Sequence, residues 1–233
     1  MSWEALLAAL FPAGHAVRRT GDVLAGRGVL DDIELAVIGT ADHAYIGVET
    51  ALALAAEVLA AMRDHPGRPI LLLVDTLGQR LSRRDELLGI NAYLAHLAQS
   101  LELARRRGHR LIALVYGEAV SGGFLAGGMM ADLVAALPGG AVRVMGLAAM
   151  ARITRIPLER LEELSRASPA FAPGVDNFYR LGGIAEIWSD DLPARLRAAL
   201  ARPAVDTSSR ALGRERGGRR LAAEVARRVR EHR

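Results

Sequence analysis

The fold is decided by one stretch in the middle of the chain, Leu111-Ile-Ala-Leu-Val-Tyr-Gly-Glu-Ala-Val-Ser-Gly-Gly-Phe-Leu-Ala-Gly-Gly-Met-Met-Ala131. It begins as an unbroken apolar run, which is typical of a strand buried on both faces. Small residues follow, so the chain can turn sharply at Ser121-Gly-Gly123 and continue as a buried helix over Phe124 to Ala131. Such a corner leaves backbone N–H groups that can hold an oxyanion, although the same glycines equally suit close packing of a helix on a sheet.

A second buried strand is predicted at Pro69–Thr76, and a single helix over Asp85–Arg107 separates it from the first. Two buried strands joined by one helix indicate a parallel β-α-β unit and therefore an α/β fold. Ligands of such sheets bind at the carboxyl ends of the strands. We therefore expect Asp75-Thr-Leu-Gly78 and the turn around Gly122 to share one cleft.

The remaining pattern predicts one domain, residues 1–233, made of helices and short strands. Helices are predicted at Ser2–Phe11, Glu49–Met62, Gly146–Ile153, from Pro157 onward, Val175–Leu181, Asp190–Ala201 and Ala211–Arg230. Strands are predicted at Ile33–Ile38, His43–Val48 (after a hairpin-like opening), Asp132–Leu137, Ala141–Met145 and Ile184–Trp188. Loops are predicted at Val17–Gly28 (loop or weak edge strand), Ser165–Pro173 and the hinge Pro203–Ser209. The buried stripe of the helix over Asp85–Arg107 is predicted to be Leu87, Leu88, Ile90, Leu94, Leu97, Leu101 and Leu103.

Composition narrows the functional classes. Hydrophobic residues make up 51% and aromatic residues only 4%, so we expect a core of Ala, Leu and Val, as in α/β proteins. No apolar run is long enough for a membrane span and the N-terminus lacks a basic signal region, which predicts a cytoplasmic protein that does not enter a membrane. The absence of cysteine excludes disulfides, thiolate nucleophiles and cysteine metal sites, and no residue cluster has metal-ligand spacing.

All 30 basic residues are arginines, but the net charge is only +4. The densest basic region, Arg210 to Arg233, contains no aromatic residue and is typical of an amphipathic helix with a solvated face. Nucleic-acid binding is therefore not expected. A phosphate-bearing ligand or an acidic partner protein fits the charge better.

The segment Gly117-Glu-Ala-Val-Ser-Gly-Gly123 is similar to the nucleophile turn of Clp-type serine proteases. A nucleophilic serine needs a base, but no histidine lies between Ser121 and the far C-terminus and the chain has no lysine. We therefore interpret Ser121 as a turn residue rather than a nucleophile. His43 and His96 are predicted to be structural, and His109 to be solvated.

Three motifs in order carry a family resemblance: Asp75-Thr-Leu-Gly78, Glu86-Leu-Leu-Gly89 and the glycine-rich segment Gly117–Asp132. They resemble the carboxyltransferase branch of the crotonase superfamily, specifically the half occupied by the acetyl-CoA carboxylase α subunit. Within that branch the short length and Met145–Thr154 are most similar to the γ subunit of biotin-independent malonate decarboxylase. The resemblance implies a crotonase/ClpP-like ββα spiral of the carboxyltransferase type, with extra terminal helices.

The resemblance also implies a β–γ hetero-dimer that decarboxylates malonyl-S-acyl carrier protein to the acetyl form and CO2. The β subunit would hold the thioester arm, while Gly122 and Gly123 would donate backbone N–H groups of a second oxyanion hole. The substrate-binding residues implied are Gly78, Gly117 and Glu118. The chain itself would bind no cofactor, because the substrate is carried on the CoA-like prosthetic group of the carrier protein, which an acyl carrier protein transferase subunit loads.

Three alternatives remain open at this point. A self-sufficient acyl-CoA hydratase or isomerase of the same fold would need a glutamate base, for which Glu118 and Glu86 are available. An acyl-CoA carboxylase carboxyltransferase subunit is disfavoured because Leu77 replaces the usual proline and Leu81-Ser82 the usual Pro-Gly pair. A non-catalytic subunit that only binds a partner is the third. If the chain is a malonate decarboxylase γ subunit, valine at Gly122 or Gly123 should leave the protein folded but abolish decarboxylation.

Overall fold

The computed structural model describes residues 1–167, 173–202, 209–218 and 221–232. Its strands are Arg18–Thr20 (β1), Val23–Leu30 (β2), Ile33–Thr40 (β3), Ala44–Ile46 (β4), Ile70–Gln79 (β5), Leu111–Val120 (β6), Leu133–Ala136 (β7), Ala141–Arg143 (β8) and Glu186–Ile187 (β9). Its α-helices are Trp3–Leu10 (α1), Val48–Asp64 (α2), Arg83–Leu87 (α3), Ile90–Arg106 (α4), Ser121–Ala126 (α5), Leu147–Thr154 (α6), Leu158–Ala167 (α7), Val175–Leu181 (α8), Leu192–Ala201 (α9), Ser209–Glu215 (α10) and Ala222–Glu231 (α11). A 3-10 turn follows α5 at Gly128–Met130. The predicted loop Ser165–Pro173 lies partly, and the hinge Pro203–Ser209 mostly, outside the described residues.

The strands form one sheet in the order β1-β2-β3-β5-β6-β7-β9, with β4 added beside β5 and β8 beside β6. The first three strands are antiparallel, whereas the pairs from β3 through β9 are parallel. The predicted parallel β-α-β unit is confirmed, because α4 connects β5 to β6 and these strands pair directly from Ile70↔Leu111 to Thr76↔Ala119.

The sheet is covered on both faces, which explains why its central strands are apolar throughout. On β5, Ile70, Leu72 and Val74 pack with helices α2 and α4. The alternate residues Leu71 and Leu73 pack on the other face with α1 and α9. Within the described part of the chain no helix is long and apolar enough to cross a membrane.

The prediction of a loop or weak edge strand over Val17–Gly28 is confirmed at β1, which is a three-residue exposed strand at the edge of the sheet. It is wrong for the rest of the segment, because β2 lies inside the sheet and pairs with β3 along its whole length. The glycines that suggested a loop are instead required by close contacts. A Cβ at Gly28 would lie 2.5 Å from the Phe11 ring, and one at Gly26 would lie 2.2 Å from the Ala16 carbonyl oxygen. Phe11 and Ala16 lie ten or more residues before these glycines in the sequence, so the local composition does not reveal the contacts.

The hairpin-like opening is also wrong, since β3 and β4 do not pair with each other but both lie parallel to β5. The predicted helix Asp85–Arg107 is two helices, α3 and α4, because Gly89 adopts a left-handed φ of +75° between them. Leu87 therefore lies on α3 and is 76% exposed. Leu88 and Leu103 are exposed as well, so the buried stripe is confirmed only for Ile90, Leu94, Leu97 and Leu101.

Two further predictions need correction. The helix expected over Ala211–Arg230 is divided into α10 and α11 by a turn that contains Gly217 at a φ of +72°. His109 is buried rather than solvated. Its Nδ1 lies 2.9 Å from the carbonyl oxygen of Arg68, and its Nε2 accepts a hydrogen bond from the Gly67 N–H, so the ring joins the start of β5 to that of β6.

Candidate active site

The site is built where β5 and β6 end. Strand β6 runs to Val120, and α5 begins at the next residue, so no loop separates strand from helix. A Cβ added at Gly78 would lie 3.0 Å from the Val120 carbonyl oxygen and 3.2 Å from the Ser121 Cβ. The predicted proximity of the Gly78 and Gly122 turns is therefore confirmed. Gly78 also has a φ of +97°, a conformation that favours glycine.

The helix begins earlier than expected, at Ser121 rather than at Phe124. Ser121 has a φ of +49°, which is unusual for a residue with a Cβ. Strain of this kind persists only where the surrounding structure fixes it, as at the sharp corner between β6 and α5. Gly122 and Gly123 consequently lie in the first helical turn, where backbone N–H groups have no intrahelical acceptor.

The two glycines have different surroundings. A Cβ at Gly122 would meet the Gln79 Oε1 at 2.8 Å, which is the movable end of a side chain. A Cβ at Gly123 would lie 2.8 Å from the Ile46 Cγ1 and 3.1 Å from the Gly78 backbone. The expectation that valine at either position leaves the fold intact is therefore contradicted for Gly123, because a larger side chain there would separate α5 from β4 and β5.

Gly117 packs against a buried carboxylate. Its added Cβ would lie 2.2 Å from the Asp75 Oδ1, so any side chain at Gly117 would displace Asp75. Asp75 is 4% exposed and accepts hydrogen bonds from the backbone N–H groups of Glu118 (2.8 Å) and His43 (2.9 Å). The His43 Nδ1 lies 2.7 Å from the same carboxylate, so the ring has a hydrogen-bonding partner within the chain, and its structural role stays a prediction. Sequence reasoning missed this pairing, although Asp75 stands in a recognised motif.

Glu118 forms an ion pair with Arg143, with 2.5 Å between the Glu118 Oε2 and the Arg143 Nη1. Arg143 ends β8 and lies opposite Val120 in the parallel pairing of β8 with β6. Sequence reasoning did not identify Arg143 as a site residue. The available signal was the short predicted strand around it, but nothing local shows that β8 continues the sheet beside β6 beyond the end of β7. The other glutamate considered as a base, Glu86, lies exposed on α3.

The loop after β5 is fixed by Asp85, which is fully buried. Arg80 donates to both carboxylate oxygens, at 2.6 and 2.9 Å, and Ser82 donates through its hydroxyl at 2.5 Å. The Val48 N–H at the start of α2 also donates to Asp85. The Arg80 guanidinium, followed by the Ser82 hydroxyl, holds the pKa of Asp85 well below its ordinary value of 3.8. The loop that departs from the carboxyltransferase motif is thus anchored from within.

The fold class of the protein is that of the crotonase-type carboxyltransferases. The fold is shared with the transcarboxylase 12S core, at a TM-score of 0.69 over 88% of this chain and 42% of that chain, with 17% identity. Residues 41–233 match the family described as malonate decarboxylase gamma subunit. The chain therefore belongs to the malonate decarboxylase gamma subunit family, and both the expected fold and the expected family are confirmed.

Solved and curated relatives agree with this family. The Pseudomonas malonate decarboxylase MdcD–MdcE hetero-dimer contains a chain that is 32% identical, with a TM-score of 0.76 and 98% of both chains covered. The Pseudomonas hetero-tetramer in complex with coenzyme A gives 30% identity, a TM-score of 0.77 and the same coverage. The malonyl-S-ACP:biotin-protein carboxyltransferase of Malonomonas rubra is 37% identical over 174 residues, 68% of this chain. The aligned region spans 60% of the length of that relative.

Proposed function

We propose that this chain is the γ subunit of a cytoplasmic malonate decarboxylase and that residues 1–233 act in it as one crotonase-type domain. Together with a carboxyltransferase-like β subunit it converts malonyl-S-acyl carrier protein into acetyl-S-acyl carrier protein and CO2. The observation that carries the proposal is the corner at which Gly122 and Gly123 open α5 beside Gly78, in a chain of this family.

Decarboxylation of a malonyl thioester depends more on how the substrate is oriented than on an acid or base side chain. Breaking the bond to the carboxyl carbon leaves an electron pair on the α-carbon, which the thioester carbonyl takes up as an enolate. CO2 departs, and the α-carbon then accepts a proton that comes from solvent. The N–H groups of Gly122 and Gly123 would hold the carboxyl end of the substrate so that the breaking bond overlaps with the thioester carbonyl, whose charge the β subunit stabilises.

The other residues of the corner have supporting roles in this proposal. Gly78 shapes the wall opposite the two glycines, because its missing side chain lets the Val120–Ser121 turn approach closely. Glu118 lines the same end of the sheet. Gly117 acts on substrate binding indirectly, because its missing side chain leaves space for Asp75. Ser121 shapes the turn and is not a nucleophile. In the described part of the chain its hydroxyl forms no hydrogen bond with a histidine.

A partner subunit is supported by surfaces that this chain leaves uncovered. Helices α6 and α11 bury none of their described residues, and Ile153 on α6 is 67% exposed. The Pseudomonas relatives are a hetero-dimer and a hetero-tetramer, and the Malonomonas rubra relative is named for malonyl-S-ACP. We therefore extend to this chain a β-like partner, a carrier protein that brings the malonyl group on its CoA-like prosthetic arm, and a transferase subunit that loads the carrier. The chain itself contributes no cofactor.

A second candidate is carboxyl transfer to a biotin protein, since the Malonomonas rubra relative bears that name. The two functions share the first bond cleavage and differ in what receives the carboxyl carbon. A hydratase is less well supported, because Glu118 is paired with Arg143 and Glu86 is exposed on α3. Neither glutamate is placed as an unpaired base beside the corner.

The test is reconstitution of the chain with a β-like subunit of the same family of complexes. The complex should release CO2 from malonyl-S-acyl carrier protein without any biotin protein, and the chain alone should not. Gly122→Val, which should stay folded, is expected to lower turnover by about a hundredfold to a thousandfold, as loss of one oxyanion donor does elsewhere. If the carboxyl carbon of the substrate were transferred to a biotin carrier instead of being released as CO2, the second candidate would be favoured. Hydration of crotonyl-CoA by the lone chain would refute the proposal.

A further inference from the structure

A cation stands directly beside the proposed site. Arg143 lies opposite Val120 in the pairing of β8 with β6, and Ser121, the first residue of α5, follows Val120 in the chain. Neighbouring strands are about 4.8 Å apart, so the Arg143 backbone is one strand spacing away from the residue that precedes the turn. The Arg143 guanidinium contacts Glu118, three residues before Ser121, so the Arg143 side chain lies along the end of β6 that leads into the turn.

Glu118, the ion-pair partner of Arg143, lacks a hydrogen bond at one carboxylate oxygen in the described part of the chain. The Glu118 Oε2 lies 2.5 Å from the Arg143 Nη1, but it is buried and makes no hydrogen bond within the described ranges. The contact is therefore ionic and lacks the directed geometry of a bidentate arginine–carboxylate pair. A guanidinium carries five N–H donors, and the described residues provide no hydrogen bond to those of Arg143. Its side chain is 27% exposed, which leaves it accessible to a ligand.

The other charged side chains near the turn already have partners within the chain. Asp75 accepts hydrogen bonds from the Glu118 backbone and is paired with His43. Arg80 is occupied by Asp85 and Glu49. Among these groups Arg143 is the cation that both adjoins the turn and has donors to spare.

We propose that Arg143 is a binding residue for the free carboxylate of the substrate acyl group and that Glu118 is an internal counter-ion that limits how tightly Arg143 holds it. The ligand class is a thioester whose acyl chain ends in a carboxylate. This inference rests on the proposed function and adds to it the residue that would distinguish malonyl from acetyl groups.

The counter-ion has a chemical reason. As the carbon–carbon bond breaks, negative charge leaves the carboxylate and CO2 forms as a neutral molecule. A cation that bound the carboxylate strongly would stabilise the substrate more than the transition state and would slow the reaction. Glu118 competes for the same guanidinium, so Arg143 can orient the carboxylate without retaining its charge.

The two partners therefore predict opposite effects on KM. In the reconstituted complex, Arg143→Gln should raise the KM for malonyl-S-acyl carrier protein by about ten- to a hundredfold, the usual worth of a hydrogen bond to a charged group. Glu118→Gln frees Arg143, so KM should fall severalfold while kcat also falls. A purely structural ion pair would shift stability in both variants and would not move KM in opposite directions.

Arg202 provides a matched control, because it pairs with Glu186 on β9, whose buried Oε1 also lacks a hydrogen bond in the described chain. Arg202→Gln should leave KM unchanged. Arg143→Lys keeps the charge, so it serves if Arg143→Gln fails to fold, and its KM should rise less.

If the wild-type complex turns over substrate and folded Arg143→Gln or Arg143→Lys has an unchanged KM, the carboxylate site is wrong while the proposed function stands. If the wild-type complex shows no turnover, the proposed function fails instead. The carboxylate site is then judged by calorimetric binding of malonyl-CoA, which Arg143→Gln should weaken relative to acetyl-CoA. Equal weakening of both thioesters would reject it.

Discussion

The carboxyl edge of β5 and β6 differs from helices α6 and α11 in how completely the chain specifies it. At this edge the Asp75 carboxylate is buried and makes three hydrogen-bonding contacts. Glycine is needed at positions 117 and 123 because the neighbouring atoms leave no space for a Cβ. Helices α6 and α11 bury no described residue and expose apolar side chains, including Val225 at 54%. The difference indicates that the chain completes one wall of a site by itself and leaves other surfaces to a partner.

The largest expected effect on stability comes from adding a side chain at Gly123, on the carboxyl edge of β5 and β6. Gly123→Val should destabilise the native state by about 3 kcal/mol or more, because its side chain would overlap the Ile46 side chain and the Gly78 backbone. Thermal unfolding of the purified chain, followed by circular dichroism, measures this. Gly122→Val is the adjacent control and should retain a cooperative transition, since Gln79 can move aside. A cooperative Gly123→Val transition at the wild-type temperature would show that the edge is not packed as described.

The next effect tests the buried carboxylate. Asp75→Asn should lower the free energy of unfolding by about 1–3 kcal/mol, because the amide NH2 would face a donor from His43 or Glu118 and leave it unsatisfied. Urea unfolding with a wild-type reference gives the value. His43→Ala removes only the exposed partner and should cost less. A larger loss for His43→Ala than for Asp75→Asn would mean that the imidazole, and not the carboxylate, organises the edge.

The same contrast explains what the sequence could predict. Strands β5 and β6 and the turn at Ser121 are visible locally, because burial on both faces gives an unbroken apolar run and the turn needs small residues. The role of Arg143 depends on β8 pairing with β6 beyond β7, and the role of Asp85 on a contact with Val48, 37 residues away. Gly28 was misinterpreted for the same reason, since the ring that requires it belongs to Phe11. Long-range contacts of this kind leave no periodic signal.

A smaller, pH-dependent effect concerns the anchored loop. Because Arg80 depresses the folded-state pKa of Asp85 below 3.8, its stabilising contribution is fully present above that value and is lost as the pH falls toward the folded-state pKa. The stability difference between wild type and Asp85→Asn should therefore be constant from pH 7 to 5 and should shrink below pH 4. Urea titrations across this range measure it. A stability difference that grew as the pH fell would contradict the pairing of Asp85 with Arg80.

The smallest effect is expected on α11, where two i,i+4 ion pairs, Arg227–Glu231 and Arg228–Glu224, support the helix on its own surface. Changing Val225 and Val229 together to serine should alter the stability of the isolated chain by no more than about 0.5 kcal/mol, as for exposed positions generally. Leu97→Ala in the core is the contrasting variant and should cost about 2–5 kcal/mol. Chemical unfolding of the lone chain gives both values, and the same variants mixed with the β-like subunit show whether complex formation depends on the valines. If the serine variant lost as much stability as Leu97→Ala without a partner, α11 would have to pack against its own chain, and its exposed valines would no longer argue for a missing subunit.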